Sequence, residues 1–92
     1  MKVEKRNKAD IYFAILQLLH RNVEPNGKLS LTRTAHVANL PYDRFQNYLN
    51  HLVQLDMVSR QDEKLVVTEK GLEFIQEYKK VTSFLRRMGL LS

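Results

Sequence analysis

The sequence predicts a mainly α-helical fold that contains one small β-hairpin. Residues 31–58 hold a short helical segment, a turn and a longer amphipathic helix in direct succession, which is the first observation behind this prediction. The second is that the next residues have the pattern of two short strands joined by a charged turn, and a further helix follows them. This order of elements predicts a winged helix-turn-helix with a long C-terminal helix.

Length and composition limit the possible classes of protein. We expect a single domain over residues 1–92, with the winged helix at about 8–68 and a C-terminal dimerisation helix at about 69–88. The chain has no cysteine, which excludes disulfide bonds and thiolate zinc sites, and its three histidines are 16 and 15 positions apart, so no metal site is expected. The charged N-terminus and the short apolar run after it predict no membrane segment. A soluble, cytoplasmic protein associated with the nucleoid is the expectation.

The first helix is predicted over Lys8–His20, because Ile11, Ile15, Leu18 and Leu19 form one apolar stripe at helical spacing. Pro25, Asn26 and Gly27 then predict a turn that separates this helix from the next one.

The second and third helices are predicted at about Thr32–Ala38 and from Pro41 to about Leu55, with a turn at Asn39 and Leu40. Ser30 or Thr32 can cap the second helix, and Pro41 suits the first position of the third. One side of the third helix is apolar and carries Phe45, Tyr48, Leu49, Leu52 and Leu55. The other side is polar and carries Asp43, Arg44, Gln46, Asn47, Asn50, His51 and Gln54. Amide side chains on such a face suit the base edges of a DNA major groove.

Asp56 is predicted to end the third helix, because aspartate adopts the left-handed conformation more readily than most residues. Val58–Gln61 and Leu65–Thr68 are predicted to be the two strands of the wing, with residues 62–64 at its tip. Thr68 is predicted to cap the last helix.

The last helix, Glu69 to about Met88, has apolar residues at the alternating spacing of a coiled-coil seam. A helix of about 20 residues spans roughly 30 Å and would extend beyond a small three-helix body, so its distal half would expose an apolar stripe. We therefore expect a homodimer formed through this helix; the alternative is that the stripe only completes the core. The residues predicted for dimerisation are Phe74, Tyr78, Val81, Phe84, Leu85 and Met88.

A net charge of +5 and a pI of about 9.7 favour an anionic partner. Residues 41–55 are formally neutral, so phosphate contacts are expected mainly from Arg33, Arg44, Lys28, the N-terminal arm and the wing, while the third helix contributes amides. The residues predicted to contact DNA are Arg33, Tyr42, Arg44, Gln46, Asn47, Asn50, His51, Arg60 and Lys64.

The run TRTAHVANLPYDRFQNYLNHLVQLDMV, followed by LVVTEKGLEFIQEY, resembles an archaeal family of winged-helix transcriptional regulators. The family resemblance implies a winged-helix fold, sequence-general or regulatory DNA binding and, in several members, a long C-terminal helix that pairs in an antiparallel coiled coil. Pro41 and Asp56 stand where serine and glycine are common in the family, and Gln46, Asn47 and Asn50 stand where lysine is frequent. The matching positions are Thr32, Arg33, Ala38, Asn39, Leu40, Tyr42, Phe45, Tyr48, Leu49, Leu52, Val58, Thr68, Lys70, Gly71 and Phe74.

These observations predict a DNA-binding protein, a homodimeric transcriptional regulator or a nucleoid-associated protein, whose third helix (41–55) reads the major groove. The expected partner is double-stranded DNA, without a cofactor or a small-molecule ligand. The sequence contains no glycine-rich phosphate loop and no catalytic arrangement of side chains, so an enzyme is not expected. The alternative is a protein-interaction module, because winged helices also use the same exposed helix on proteins, and a neutral third helix is what that alternative predicts.

Overall fold

A computed structural model describes residues 6–21, 30–62 and 64–91 of the chain. The turn predicted at residues 25–27, Lys28, the arm at residues 1–5 and Glu63 lie outside the described residues. The described elements are α1 (Lys8–Arg21), α2 (Leu31–Val37), α3 (Tyr42–Gln54), β1 (Val58–Gln61), β2 (Lys64–Val67) and α4 (Glu69–Arg87). This order confirms the predicted helical fold with a hairpin wing and a C-terminal helix.

Helix α1 begins with a reciprocal pair of hydrogen bonds between Asn7 and Asp10. The backbone N–H of Asp10 donates to Asn7 Oδ1 at 2.9 Å, and the backbone N–H of Asn7 donates to Asp10 Oδ2 at 3.2 Å, so two amides at the helix start are satisfied. The apolar stripe predicted for this helix is partly wrong. Tyr12 and Leu16 are buried together with Ile15 and Leu19, whereas the predicted Ile11 and Leu18 are half-buried.

Helices α2 and α3 form the helix-turn-helix. Ser30 caps α2 by accepting a hydrogen bond from the backbone N–H of Arg33 at 3.2 Å, so the helix begins one residue earlier than predicted. Asn39 has a φ of 62°, which turns the chain between the two helices. The prediction for Pro41 is wrong by one position: its ψ of 146° is not helical, and it lies just before the first residue of α3.

The wing is a two-stranded antiparallel hairpin in which Val58 pairs with Val67 and Gln61 with Lys64. Asp56 has a φ of 67°, which confirms the left-handed residue predicted between α3 and β1. Asp62 has a φ of 50° in the turn. The second strand begins at Lys64 rather than at Leu65, because Lys64 already pairs with Gln61.

The core lies where α1, α2, α3, the first residue of the wing and the proximal half of α4 meet. Of the five residues predicted for the apolar side of α3, Phe45, Leu49 and Leu52 are fully inaccessible there, and Tyr48 and Leu55 are half-buried. The buried cluster consists of Tyr12, Ile15, Leu16, Leu19, Ala35, Phe45, Leu49, Leu52, Val58 and Ile75. This packing holds α3 by one side and leaves its polar side at the surface.

Candidate nucleic-acid interface

The outer face of α3 is polar and accessible. Asp43, Arg44, Asn47 and Asn50 are exposed, and Tyr42 at the helix start retains 44% of its accessible surface. Because the buried residues of α3 anchor it along its other side, these side chains project from a rigid helix rather than from a loop. The amphipathic pattern of the sequence therefore placed this face correctly.

Two hydrogen bonds orient side chains on this face. Gln46 is half-buried, and its Nε2 donates to the hydroxyl of Tyr42 at 2.8 Å. Arg60 of the wing donates from Nη2 to Oδ1 of Asn50 at 3.1 Å. The Asn50 amide nitrogen keeps its donor capacity while its oxygen is engaged, and the Arg60 guanidinium retains further N–H donors. The bond between Asn50 and Arg60 brings the third helix and the wing onto one surface.

His51, predicted on the polar face, is half-buried and turned toward α1. Its Nδ1 is hydrogen-bonded to the hydroxyl of Tyr12, and the two rings meet edge to face with centroids 5.6 Å apart. Burial raises the pKa of the Tyr12 hydroxyl, and the neighbouring Tyr48 raises it further. Through its contacts with His51, Tyr12 of α1 supports α3. Sequence reasoning missed it because it took Ile11, Ile15, Leu18 and Leu19 as the core stripe of this helix.

The other predicted contacts lie on α2 and on the wing. Arg33 lies exposed in α2, and its backbone N–H is the one that Ser30 caps. Arg60 and Lys64 are exposed on opposite strands of the wing. From Asp56 to Thr68 the sequence carries three acidic residues against these two basic ones, so the wing segment is slightly acidic overall.

The TEKG element (68–71) fastens α4 to the end of α3. The Thr68 hydroxyl donates to the Asp56 carbonyl at 2.7 Å and accepts from the backbone N–H of Gly71 at 3.1 Å, so one side chain caps α4 and ties it to the turn. Lys70 donates from Nζ to the carbonyl of Leu55 at 2.7 Å, at the C-terminal end of α3 where a cation is favoured. These bonds position the wing against α3, and Lys70 is thereby engaged within the protein.

The distal half of α4 differs from its proximal half. Val81, Phe84 and Met88 retain 54%, 50% and 55% of their accessible surface, and Leu85 is half-buried. The helix ends in a glycine turn: Gly89 has a φ of 80°, and the N–H of Leu90 donates to the carbonyl of Leu85 at 2.8 Å, which is the pattern of a Schellman motif.

Phe74 and Tyr78, which the heptad spacing placed in the dimerisation seam, instead pack within the chain. The ring of Tyr78 stacks on Phe13 with centroids 4.2 Å apart, and Phe74 packs against the buried core. The Tyr78 hydroxyl donates to the Asp10 carboxylate. Burial, together with that bond and the carboxylate charge, raises the pKa of Tyr78 to about 12. The apolar stripe thus serves the core up to Tyr78 and becomes accessible only beyond it.

Among the residues that the structure describes, no group of histidine and acidic side chains could hold a metal ion. No helix in the described ranges is long and apolar enough to cross a membrane.

Comparison with known proteins gives a family. A family model described as winged helix-turn-helix matches residues 5–86, which is most of the chain. The comparison with curated proteins finds no match. The family model covers every element of the described fold, including the proximal half of α4 and most of its distal half.

Proposed function

The chain belongs to the winged helix-turn-helix family, and from this premise we propose that it binds double-stranded DNA with α3 in the major groove. The observation that carries the proposal is the 3.1 Å hydrogen bond between Asn50 of α3 and Arg60 of the wing, because it brings base-reading amides and a phosphate-binding cation onto one exposed surface. A recognition helix flanked by a wing that carries an exposed arginine can contact base edges and the adjacent backbone simultaneously.

Within this proposal the side chains divide into base-contacting and phosphate-contacting groups. Gln46, Asn47 and Asn50 offer amides, which pair with adenine through its N6 and N7 atoms. Phosphate contacts are proposed for the cations and hydroxyls around them, while His51, also predicted to contact DNA, is half-buried and bonded to Tyr12. The proposed phosphate contacts are Arg33, Tyr42, Arg44, Arg60 and Lys64.

The start of α3 supports the same orientation. Pro41 precedes the helix and offers no side-chain acceptor to the first backbone N–H groups of α3. Such groups carry the positive end of the helix dipole and bind phosphate oxygens. The departure from a serine cap at this position is therefore compatible with a phosphate at the start of the reading helix.

We further propose that the protein is a homodimer formed through the distal half of α4, with Val81, Phe84, Leu85 and Met88 in the seam. Three of these four side chains keep about half of their surface accessible, and large apolar side chains grouped on one face favour a partner. A dimer would present two reading helices to DNA, as transcriptional regulators and nucleoid-associated proteins do.

A protein-interaction module remains the second candidate function. It is favoured by the lack of net positive charge on the candidate interface: the charges of Asp43 and Arg44 cancel within α3, and the wing segment is slightly acidic. Polyanion binding usually draws on a surplus of cations, whereas a neutral polar face suits a protein partner.

Selection of bound genomic fragments, followed by binding measurements on the selected duplex, tests the DNA proposal. Asn47→Ala should reduce discrimination at one base pair by about 1–3 kcal/mol and leave the salt dependence unchanged. Arg33→Ala should weaken binding to all duplexes alike and lower the slope of log K against log salt by about one. If the parent and both variants bind duplex DNA identically over a salt titration, α3 is not the DNA surface and the protein-interaction function takes its place.

A further inference from the structure

The distal half of α4 carries a second feature besides its apolar residues. Lys79, Lys80, Arg86 and Arg87 are all exposed, and no acidic residue occurs between Tyr78 and Leu91. With about 100° of rotation per residue, these four cations and Ser83 occupy an arc of about 120° on the helix. We call this surface the basic face of α4.

The basic face is turned away from the exposed apolar side chains. Its centre lies about 130° around the helix from the centre of Val81, Phe84 and Met88. Lys79, Lys80, Ser83 and Arg87 line a shallow surface depression of about 440 Å³. A partner can therefore contact the basic face while the apolar residues contact a second copy of the chain.

Interactions within the chain leave most of this charge available. Lys80 pairs with Glu77 at 3.3 Å, but both side chains are more than half exposed, and exposed pairs of this kind contribute little. Arg87 lies over the ring of Phe84 at 5.9 Å, which leaves its N–H groups accessible to acceptors. Even with Lys80 paired to Glu77, four exposed cations on one face of the helix are suited to a polyanion.

The distribution of charge indicates which polyanion. The proposed reading surface, α3 with the wing, has no surplus of positive charge, whereas the segment from Tyr78 to Leu91 has four cations and no acid. Each strand of duplex DNA presents one negative charge per 3.4 Å or so of the duplex axis. Residues 79–87 span about 12 Å of helix, so a helix lying along the duplex axis matches a run of roughly three phosphates of one strand.

We infer that the basic face of α4 is a second DNA-binding surface, which holds the phosphate backbone independently of sequence while α3 reads bases. The inference rests on the proposed function and explains how a neutral reading helix can serve a DNA-binding protein. Its contacts are electrostatic, so they contribute to affinity and salt dependence and leave base preference to α3.

Two double variants that change net charge equally test the inference. Lys79→Gln with Arg86→Gln removes two cations from the basic face, and Lys8→Gln with Arg21→Gln removes two exposed cations from α1; each lowers the formal charge from +5 by two. Fluorescence anisotropy with a labelled duplex of about 24 base pairs, titrated over salt, gives the affinity and the slope of log K against log salt. A charge-preserving pair, Lys79→Arg with Arg86→Lys, is the third variant.

The α4 pair should lower the slope by about two and the affinity at 0.1 M salt by roughly fiftyfold, because each lost phosphate contact changes the slope by about 0.9. The α1 pair should lower the slope by less than half as much, and the charge-preserving pair should bind as the parent does. Equal slopes for the two neutralising pairs, or an unchanged slope for the α4 pair, would overturn the inference. Base preference measured on the same duplexes separates the two proposals. If Asn47→Ala relaxes base preference but the α4 pair binds with the slope of the parent, DNA binding through α3 stands and the inference about the basic face fails.

Discussion

Replacement of Gly71 by alanine tests the contact that fixes the wing against α3. A Cβ atom at Gly71 would lie 2.4 Å from the carbonyl oxygen of Met57 and 2.8 Å from Cγ1 of Val67, closer than real Cβ contacts. The Met57 oxygen also accepts the backbone N–H of Thr68 at 3.0 Å, so it cannot retreat without disturbing that bond. Alanine at this position must therefore move α4 away from the turn between α3 and β1.

Two opposing effects set the size of the change. Alanine is favoured over glycine inside a helix by about 1 kcal/mol. Overpacking against a fixed backbone atom costs about 1–3 kcal/mol, and weakening the Met57–Thr68 hydrogen bond costs about 1 kcal/mol more. The net loss of unfolding free energy should be about 1–3 kcal/mol, which lowers Tm by roughly 10 °C in a domain of this size.

Thermal unfolding followed by circular dichroism measures this loss. Gln76→Ala, at an exposed position of the same helix, is the matched control and should change the unfolding free energy by less than about 0.5 kcal/mol. A Gly71→Ala protein that melts at or above the parent temperature would refute the close approach of α4 to the turn, because only the favourable helix propensity would then remain.

Three further predictions concern the two halves of α4. Val81→Asp should make the proposed dimer monomeric and leave the winged-helix body folded, because it places a carboxylate in an apolar seam. The control Ser83→Asp, on the basic face, should stay dimeric. Sedimentation that shows a 10.9 kDa monomer for the parent at tens of micromolar would contradict the dimer. Folding raises the pKa of Tyr78 from 10.0 to about 12, so the stability linked to its neutral hydroxyl is complete below pH 10 and falls between pH 10 and 12. Tyr78→Phe should make urea-unfolding free energies decline less steeply over that interval, and an identical decline would contradict it. Thr68→Val should lose about 1 kcal/mol or more in urea unfolding, since it removes a helix cap and the bond to Asp56; a loss below about 0.3 kcal/mol would contradict the cap.

Amphipathic periodicity was sufficient to predict which side of α3 is buried, but it was insufficient to predict the buried side of α1. In α3 the apolar residues are separated by charged and amide side chains, so only one side can be buried, and Phe45, Leu49 and Leu52 are. In α1 the run from Ile11 to Leu19 is apolar almost all round the helix, so its spacing does not select a side. Burial of Tyr12 and Leu16 follows from the shape of the space left by α3 and α4, which a local pattern does not contain.

The candidate interface likewise depends partly on the local sequence of α3 and partly on contacts between residues that are distant in the chain. The exposed positions of α3 followed from its own sequence, but the partners of its side chains did not. Tyr12 and His51 are 39 positions apart, and Arg60 and Asn50 belong to different elements, so these bonds depend on how the helices pack. Likewise, heptad spacing cannot distinguish a seam between chains from packing within one chain. The spacing therefore predicts Phe74 and Tyr78 in the seam, although both pack within the chain.

The glycine turn at Gly89 limits the proposed dimer. Because the chain leaves the helix there with a φ of 80°, the accessible apolar stripe on α4 runs only from Val81 to Met88, about two turns and 11 Å. Two turns expose less than the roughly 800 Å² per partner of a standard interface, so the proposed dimer would need further contact area, and Leu90, which is 70% exposed beyond the turn, would be available to add to it. A short seam gives a dimer that responds to protein concentration, and a ligand that binds two copies together strengthens it by mass action. DNA held by α3 and by the basic face would be such a ligand, which couples dimer formation to DNA binding.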